Sequence, residues 1–180
     1  PEEIATALDS GRLDLAIGFL PGVTDTARQA LLGDRYIVLL RAGHPLVRRW
    51  RRLPAAGRLA ALEQLDFAAS RTHSDTLRIL HLLRLESRLR LTVGHFLSLP
   101  AIVRESDLGV LMPRDIARGF AAQGGLDILE PDFPLRDFTV SLHWSRRHEG
   151  DAALTWLRRQ VLALYAGDGG RPAGQDLGLR

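Results

Sequence analysis

From Phe67 to Leu129 the chain switches without a break between short apolar runs and stretches of helical spacing, and this alternation limits the fold more than any other feature. Phe67 to Ser70, Leu89 to Val93, Leu108 to Met112 and Asp127 to Leu129 read as strands, with Leu89, Leu91 and Val93 on one side of the second. Between them, Asp75 to Leu85, Leu99 to Ser106 and Arg114 to Ala122 read as helices, the first buried through Leu77, Leu80 and Leu83. Repeated strand-helix-strand units bury both strand faces under helices, so they predict a parallel sheet with right-handed crossovers. The expected fold class is α/β.

The flanks add pieces too small to stand alone. Glu2 to Ser10 reads as a helix with Ile4 and Leu8 on one face and Gly11 ending it. Leu13 to Gly18 reads as a strand buried on both sides, and Ala30 to Leu32 with Arg35 to Arg41 as a strand pair around the turn-like Gly33-Asp34. Ala42 to Ala56, with Gly43, Pro45, Pro54 and the cluster Arg48-Arg49-Trp50-Arg51-Arg52, reads as connection, as does Pro131 to Pro134. Phe138 to Trp144 alternates as a strand, and Ala152 to Ala166 is a helix capped by Asp151 and buried through Leu154, Leu157, Val161 and Tyr165. Gly167 to Arg180 is expected to be a mobile tail. The simplest arrangement returns the last strand and helix to the first lobe. Residues 1–41 and 138–166 then form lobe I, and 42–137 form lobe II, a nearly complete doubly wound unit. Two strands cross between the lobes, near Leu40-Arg41-Ala42 and near Phe138-Thr139, with a cleft between them.

Composition removes several chemistries. There is no cysteine, which excludes disulfides, thiolate nucleophiles and cysteine-bound metal sites; all 24 basic residues are arginine, which excludes a Schiff-base or phosphate-loop lysine. The six histidines lack His-x-x-x-His spacing, and neither a Gly-x-Ser-x-Gly elbow nor a Gly-x-Gly-x-x-Gly turn occurs, so no metal, cofactor or catalytic residue is expected. No run approaches the roughly 20 apolar residues of a membrane span, and Pro1-Glu2-Glu3 does not open a signal peptide; a cytoplasmic protein without membrane contact is expected.

Four segments resemble, in order and spacing, the effector-binding domain of LysR-type transcriptional regulators. They are Leu8-Asp9-Ser10-Gly11-Arg12-Leu13-Asp14-Leu15-Ala16-Ile17-Gly18, then Arg41-Ala42-Gly43-His44-Pro45-Leu46, then Ile102 to Pro113 with Arg114-Asp115-Ile116-Ala117, and finally Leu142-His143-Trp144 with Asp151 and Trp156-Leu157-Arg158. The closing segment is most similar to the branch regulating nodulation and aromatic degradation, which commonly carries Trp-His where this chain has Trp144-Ser145. The resemblance implies a type II periplasmic-binding-protein-like fold of two Rossmann-like lobes, with lobe I incomplete at its N-terminus and the DNA-binding winged helix-turn-helix absent from this chain. It also implies a homodimer or homotetramer, with the Glu2 to Ser10 helix at the interface, and contact with DNA only through that absent N-terminal domain.

In open α/β sheets ligands sit beyond the carboxyl ends of strands, where helix N-termini direct N–H groups outward. Two such junctions occur here, Ser70-Arg71-Thr72-His73-Ser74 and His95-Phe96-Leu97-Ser98, the second with Ser98 as an N-cap and Pro100 in the first turn. Each carries a histidine, and the resemblance places these where aromatic-acid sensors of the family hold their ligands. His73 and His95 are therefore expected to bind a small anionic, aromatic effector, with Phe96 or Phe19 as an apolar wall. The competing reading makes His73 a loop end and His95 a satisfied core residue. Arg71 is a carboxylate clamp or, more commonly, an exposed loop arginine; Thr72, Gly18, Phe19 and Thr139 are further pocket candidates for which plain structural roles compete.

The leading functional expectation is a non-enzymatic sensor whose ligand controls DNA binding elsewhere on the full-length polypeptide. A periplasmic-type solute-binding protein for a small organic acid shares the same scaffold and is the main alternative. An enzyme using a histidine as general base lacks an identifiable partner group, and a helix-turn-helix across Leu62 to Leu89 conflicts with the strand at Phe67.

Overall fold

The computed structural model describes residues 2–72, 74–131 and 137–167. The expected tail beyond Gly167 and the Pro131–Pro134 connection past Pro131 lie outside the described residues. Contacts divide the chain into two units, one drawn from residues up to Asp34 and from Asp137 onward, the other from Arg35 to Arg136. This division falls between Asp34 and Arg35.

In the first unit, α1 (Glu2–Asp9) buries Leu8 completely and is closed by Gly11 at φ +70, a left-handed conformation that glycine adopts without a Cβ clash. Its sheet has the order β1 (Ala16–Gly18), β8 (Phe138–Trp144), β2 (Ala27–Asp34), both outer strands pairing antiparallel with β8. β1 was expected to be buried on both sides; it is an edge strand instead, and Ile17 is 48% exposed. The terminal helix α7 (Ala152–Gly167) starts where Asp151 Oδ1 accepts from the Leu154 N–H at 2.9 Å, the expected cap. It packs Val161, Leu162 and Tyr165 on Leu31, Leu142 and Trp144, whereas Leu157, expected inside, is 37% exposed.

The second unit opens with β3 (Tyr36–Arg41). β2 and β3 do not form the expected pair around Gly33-Asp34, because their ladders go to different sheets: β2 pairs with β8, and β3 with β6 (Val110–Pro113) and β7 (Leu126–Leu129). The segment expected as connection folds into α2 (Pro45–Trp50) and the start of α3 (Ala55–Leu62). His44 sets the first of these, its Nδ1 accepting from the Leu46 N–H at 3.1 Å while Pro45 supplies a preset φ at the first turn. β4 (Phe67–Ser70) and β5 (Leu89–Val93) pair parallel on either side of α4 (Ser74–Leu82), as the alternation predicted. A parallel bridge from Phe67 to Gly109 links them to the strand β6. Parallel order is not uniform, however: β3 lies between β6 and β7 and runs antiparallel to both.

Alternation along β3 decides how this sheet is covered. Val38 and Leu40 face Trp50, Leu62, Ile79 and Leu80 from α2, α3 and α4. Ile37 and Leu39 face Leu99, Val103 and Ala117 from α5 (Leu99–Arg104) and α6 (Arg114–Ala121). Helices on both faces explain why β3, β4 and β6 are continuous apolar runs with no polar side.

Candidate ligand-binding site

Parallel pairing of β4 with β5 fixes the geometry of the candidate site. Ser70 lies opposite Val93 in the register, so the loops that follow leave the same carboxyl edge, and the Arg71 N–H donates to the Val93 carbonyl at 3.0 Å. Ser70 is fully buried; its Oγ lies 2.7 Å from Thr72 Oγ1 and accepts from the Thr72 N–H at 3.2 Å. This local turn holds Thr72 and Arg71 out in solvent. Across the edge, Gly94 leaves open the space beside Arg71: Nη2 lies 3.9 Å from where a Cβ on Gly94 would stand.

His95 follows in extended conformation, with φ −125 and ψ 126, and its side chain is exposed. That exposure removes the reading of His95 as a core residue. Its imidazole has no partner among the described residues, while its carbonyl accepts from both the Ser98 N–H at 3.3 Å and Ser98 Oγ at 2.7 Å. Ser98 thus closes the single 3-10 turn Phe96–Ser98 and does not cap α5 with its side chain, contrary to expectation; its own backbone is already helical. Phe96 is half-buried against the cluster around Ile37 and Leu39. His73 lies outside the described residues. In the first turn of α4, Asp75 is paired with Arg78 at 3.0 Å, so the positive end of this helix already faces one carboxylate.

The remaining candidates belong to the first unit. Gly18 lies opposite Ser141 and Thr139 opposite Gly33 across β8. Phe19 packs against Phe138, ring centroids 5.0 Å apart and tilted by 42°. Phe138, Ser70 and Gly94 were not nominated from the sequence. Ser70 carried a readable signal, a serine two residues before a threonine at a strand end; the Phe19–Phe138 contact spans distant segments and carried none.

Among the described residues two histidines are buried, His44 and His143, and both are structural. Burial lowers the pKa of His44 below the ordinary 6.5, opposed by the nearby Asp107 and assisted by Arg41. His143, hydrogen-bonded through Nδ1 to Thr26 Oγ1, is likewise lowered by burial and then by Arg28. What the loops leaving the β4–β5 edge carry is the exposed residues Arg71, Thr72 and His95, with a guanidinium, a hydroxyl and an imidazole. These are donors suited to a carboxylate.

A family model described as the LysR substrate binding domain matches residues 1–166. The transcriptional activator NagR of a Ralstonia species is 27% identical over 161 residues, covering 88% of this chain and 52% of that protein. NahR of Pseudomonas putida, also a transcriptional activator, is 27% identical over 163 residues, covering 88% and 53%. The chain thus spans about half the length of these curated relatives. Among solved structures, a transcriptional regulator from Vibrio parahaemolyticus superposes with a TM-score of 0.71 at 23% identity, covering 92% of this chain and 77% of that one. The CcmR regulatory domain of Synechocystis, in complex with 2-PG, gives 0.63 at 17% identity over 91% and 79%. The effector binding domain of QuiR with shikimate gives 0.61 at 14% over 93% and 78%. At such identities the structures establish the fold alone, which is of the type II periplasmic-binding-like class. The match along residues 1–166, on a chain whose units fold in this way, shows that the protein belongs to the LysR substrate-binding-domain family.

Proposed function

We propose that this chain senses a small anionic, aromatic carboxylate at the carboxyl edge of β4 and β5 and passes its occupancy to a DNA-binding module of the same polypeptide. The observation that supports the reading is the register of Ser70 with Val93, from which the segments carrying Arg71, Thr72 and His95 leave the same strand edge, all three residues being exposed. His73, next in sequence to Thr72, joins them in the proposal. The carboxylate is held by the Arg71 guanidinium and the imidazoles, and Phe96 offers the flanking apolar surface.

Family membership supports the sensing role, and the relatives named above are transcriptional activators. Two neighbours of similar fold hold shikimate and 2-PG, which favours small organic anions as the ligand class. The chain acts by binding and not by turnover, in the cytoplasm with the DNA it regulates, as a homodimer or homotetramer. A ligand moves such a switch only by its difference in affinity between two states.

Calorimetric titration with benzoate and hydroxybenzoates, against acetate as a charge control, tests the proposal. Saturable binding of an aromatic acid, weakened in Arg71→Gln and His95→Ala, is the expected result. Equal, unsaturable heats for all acids would refute it.

A further inference from the structure

The first unit contains a cavity of about 590 Å³ at the end of its sheet where β2 begins and β8 finishes. It is lined by Thr24, Thr26, Arg28, Trp144, Arg146 and Glu149. We propose that this cavity is a second ligand site, for a small polyhydroxylated carboxylate of the sugar-acid kind.

The lining residues divide into a fixed floor and an accessible rim. Trp144 is 8% exposed and Thr26 6%; Ala27 lies opposite Trp144 in the β2–β8 ladder, and Thr26 is tied to His143 by its hydroxyl, so neither floor residue is free to move. The Arg158 guanidinium lies 4.7 Å from the Trp144 ring centroid, covering one face of the indole, and itself donates to the Glu149 carbonyl at 2.9 Å. The rim residues Thr24, Arg28, Arg146 and Glu149 are all exposed.

Charge decides the ligand class. Neither Arg28 nor Arg146 has an ion-pair partner among the described residues, and two guanidiniums with the exposed Thr24 hydroxyl form a donor set for one carboxylate. Glu149 on the same rim repels a second negative charge but accepts from a hydroxyl, so the rest of the ligand must donate. The indole N–H of Trp144 is buried with no acceptor among the described residues. The volume lies within the usual range for small-molecule sites and exceeds the need of a two- or three-carbon acid.

The test uses the whole chain labelled with 15N. Its three tryptophans give three indole N–H signals, and Trp144→Phe assigns the one in question. Gluconate is expected to move the Trp144 signal saturably, with hexanoate, equal in chain length but without hydroxyls, at least about tenfold weaker. Arg28→Gln and Arg146→Gln should each raise the gluconate Kd about tenfold, since each removes a charge-assisted contact. His95→Ala should leave it unchanged. A Trp144 signal unmoved at gluconate concentrations on the order of 10 mM, an affinity indifferent to both arginine variants, or loss of gluconate binding in His95→Ala would overturn the proposal. Benzoate added to the same sample reports on the β4–β5 edge separately, so failure of one site does not count against the other.

Discussion

Thr26 and His143, 117 positions apart in sequence, share a 3.0 Å hydrogen bond between Oγ1 and Nδ1 inside the first unit. Both side chains are buried, and the imidazole is held in its neutral form, its pKa lowered chiefly by loss of water and further by Arg28. His44 is shifted in the same direction. The unfolded chain therefore takes up protons below pH 6.5 that the folded chain refuses, so the stabilisation is present above 6.5 and is lost as pH falls towards the depressed values. Urea unfolding should give lower stability at pH about 5.5 than at about 7.5, and His143→Gln should flatten that slope. A stability that rises on acidification through this window would contradict the assignment.

His44 sits in the His-Pro-Leu segment, yet its work is local. Its Nδ1 satisfies the Leu46 N–H at the start of α2. His44→Ala should cost about 1 to 2 kcal/mol, the range for a lost N-cap, and His44→Asn should recover part of it. Denaturant midpoints of the two variants decide the matter: equal losses would mean the side chain serves by packing alone.

Gly109 bridges to Phe67 and leaves no room for a side chain. A Cβ there would stand 2.6 Å from Leu65 Cδ2 and 3.3 Å from Leu40 Cδ2. Gly109→Ala should destabilise by about 1 to 3 kcal/mol through overpacking. Combined with Leu65→Ala, it should cost less than the two single changes added together, because the second change removes the obstruction. Additive losses would place the strain elsewhere.

At the β4–β5 edge, Ser70→Ala removes the acceptor of the Thr72 N–H and the hydroxyl beside Thr72 Oγ1. A loss of about 1 kcal/mol in stability is expected, together with weaker binding of an aromatic acid as Thr72 and Arg71 lose their fixed position. Thr72→Val keeps the backbone contact and should reduce binding with little effect on stability. If Ser70→Ala lowered stability while leaving affinity untouched, the turn would be scaffolding without a part in recognition.

The boundaries of β4, β5 and β8 could be read from the sequence because each is a short apolar or alternating run between polar or turn residues. β2 was cut short, since Ala27-Arg28-Gln29 on an exposed stretch carries no apolar pattern. The helix α2 escaped notice although its start was marked by His44 before Pro45, and its buried side by Leu46 and Trp50 at a spacing of one turn; the arginines between them masked that side. Partnership was the least readable property. Gly33-Asp34 has the composition of a hairpin turn, and nothing local shows that the strands on either side join different sheets. That the loops after β4 and β5 leave one edge was readable because adjacent parallel strands joined by a helix present their ends together, whereas Phe19 meets Phe138 only through long-range pairing.

Among the described residues, every strand pairing of the first unit passes through β8, which receives β1 along one edge and β2 along the other. During synthesis from the N-terminus, β1 and β2 emerge more than a hundred residues before the strand that holds them, while Arg35 to Arg136 form one continuous stretch whose sheet is already complete. The molecule must therefore assemble from its middle outward. A ribosome stalled ahead of Phe138 would carry the strands of the second unit together with β1 and β2 still unpaired, and synthesis of β8 acts as the closing stitch for these two.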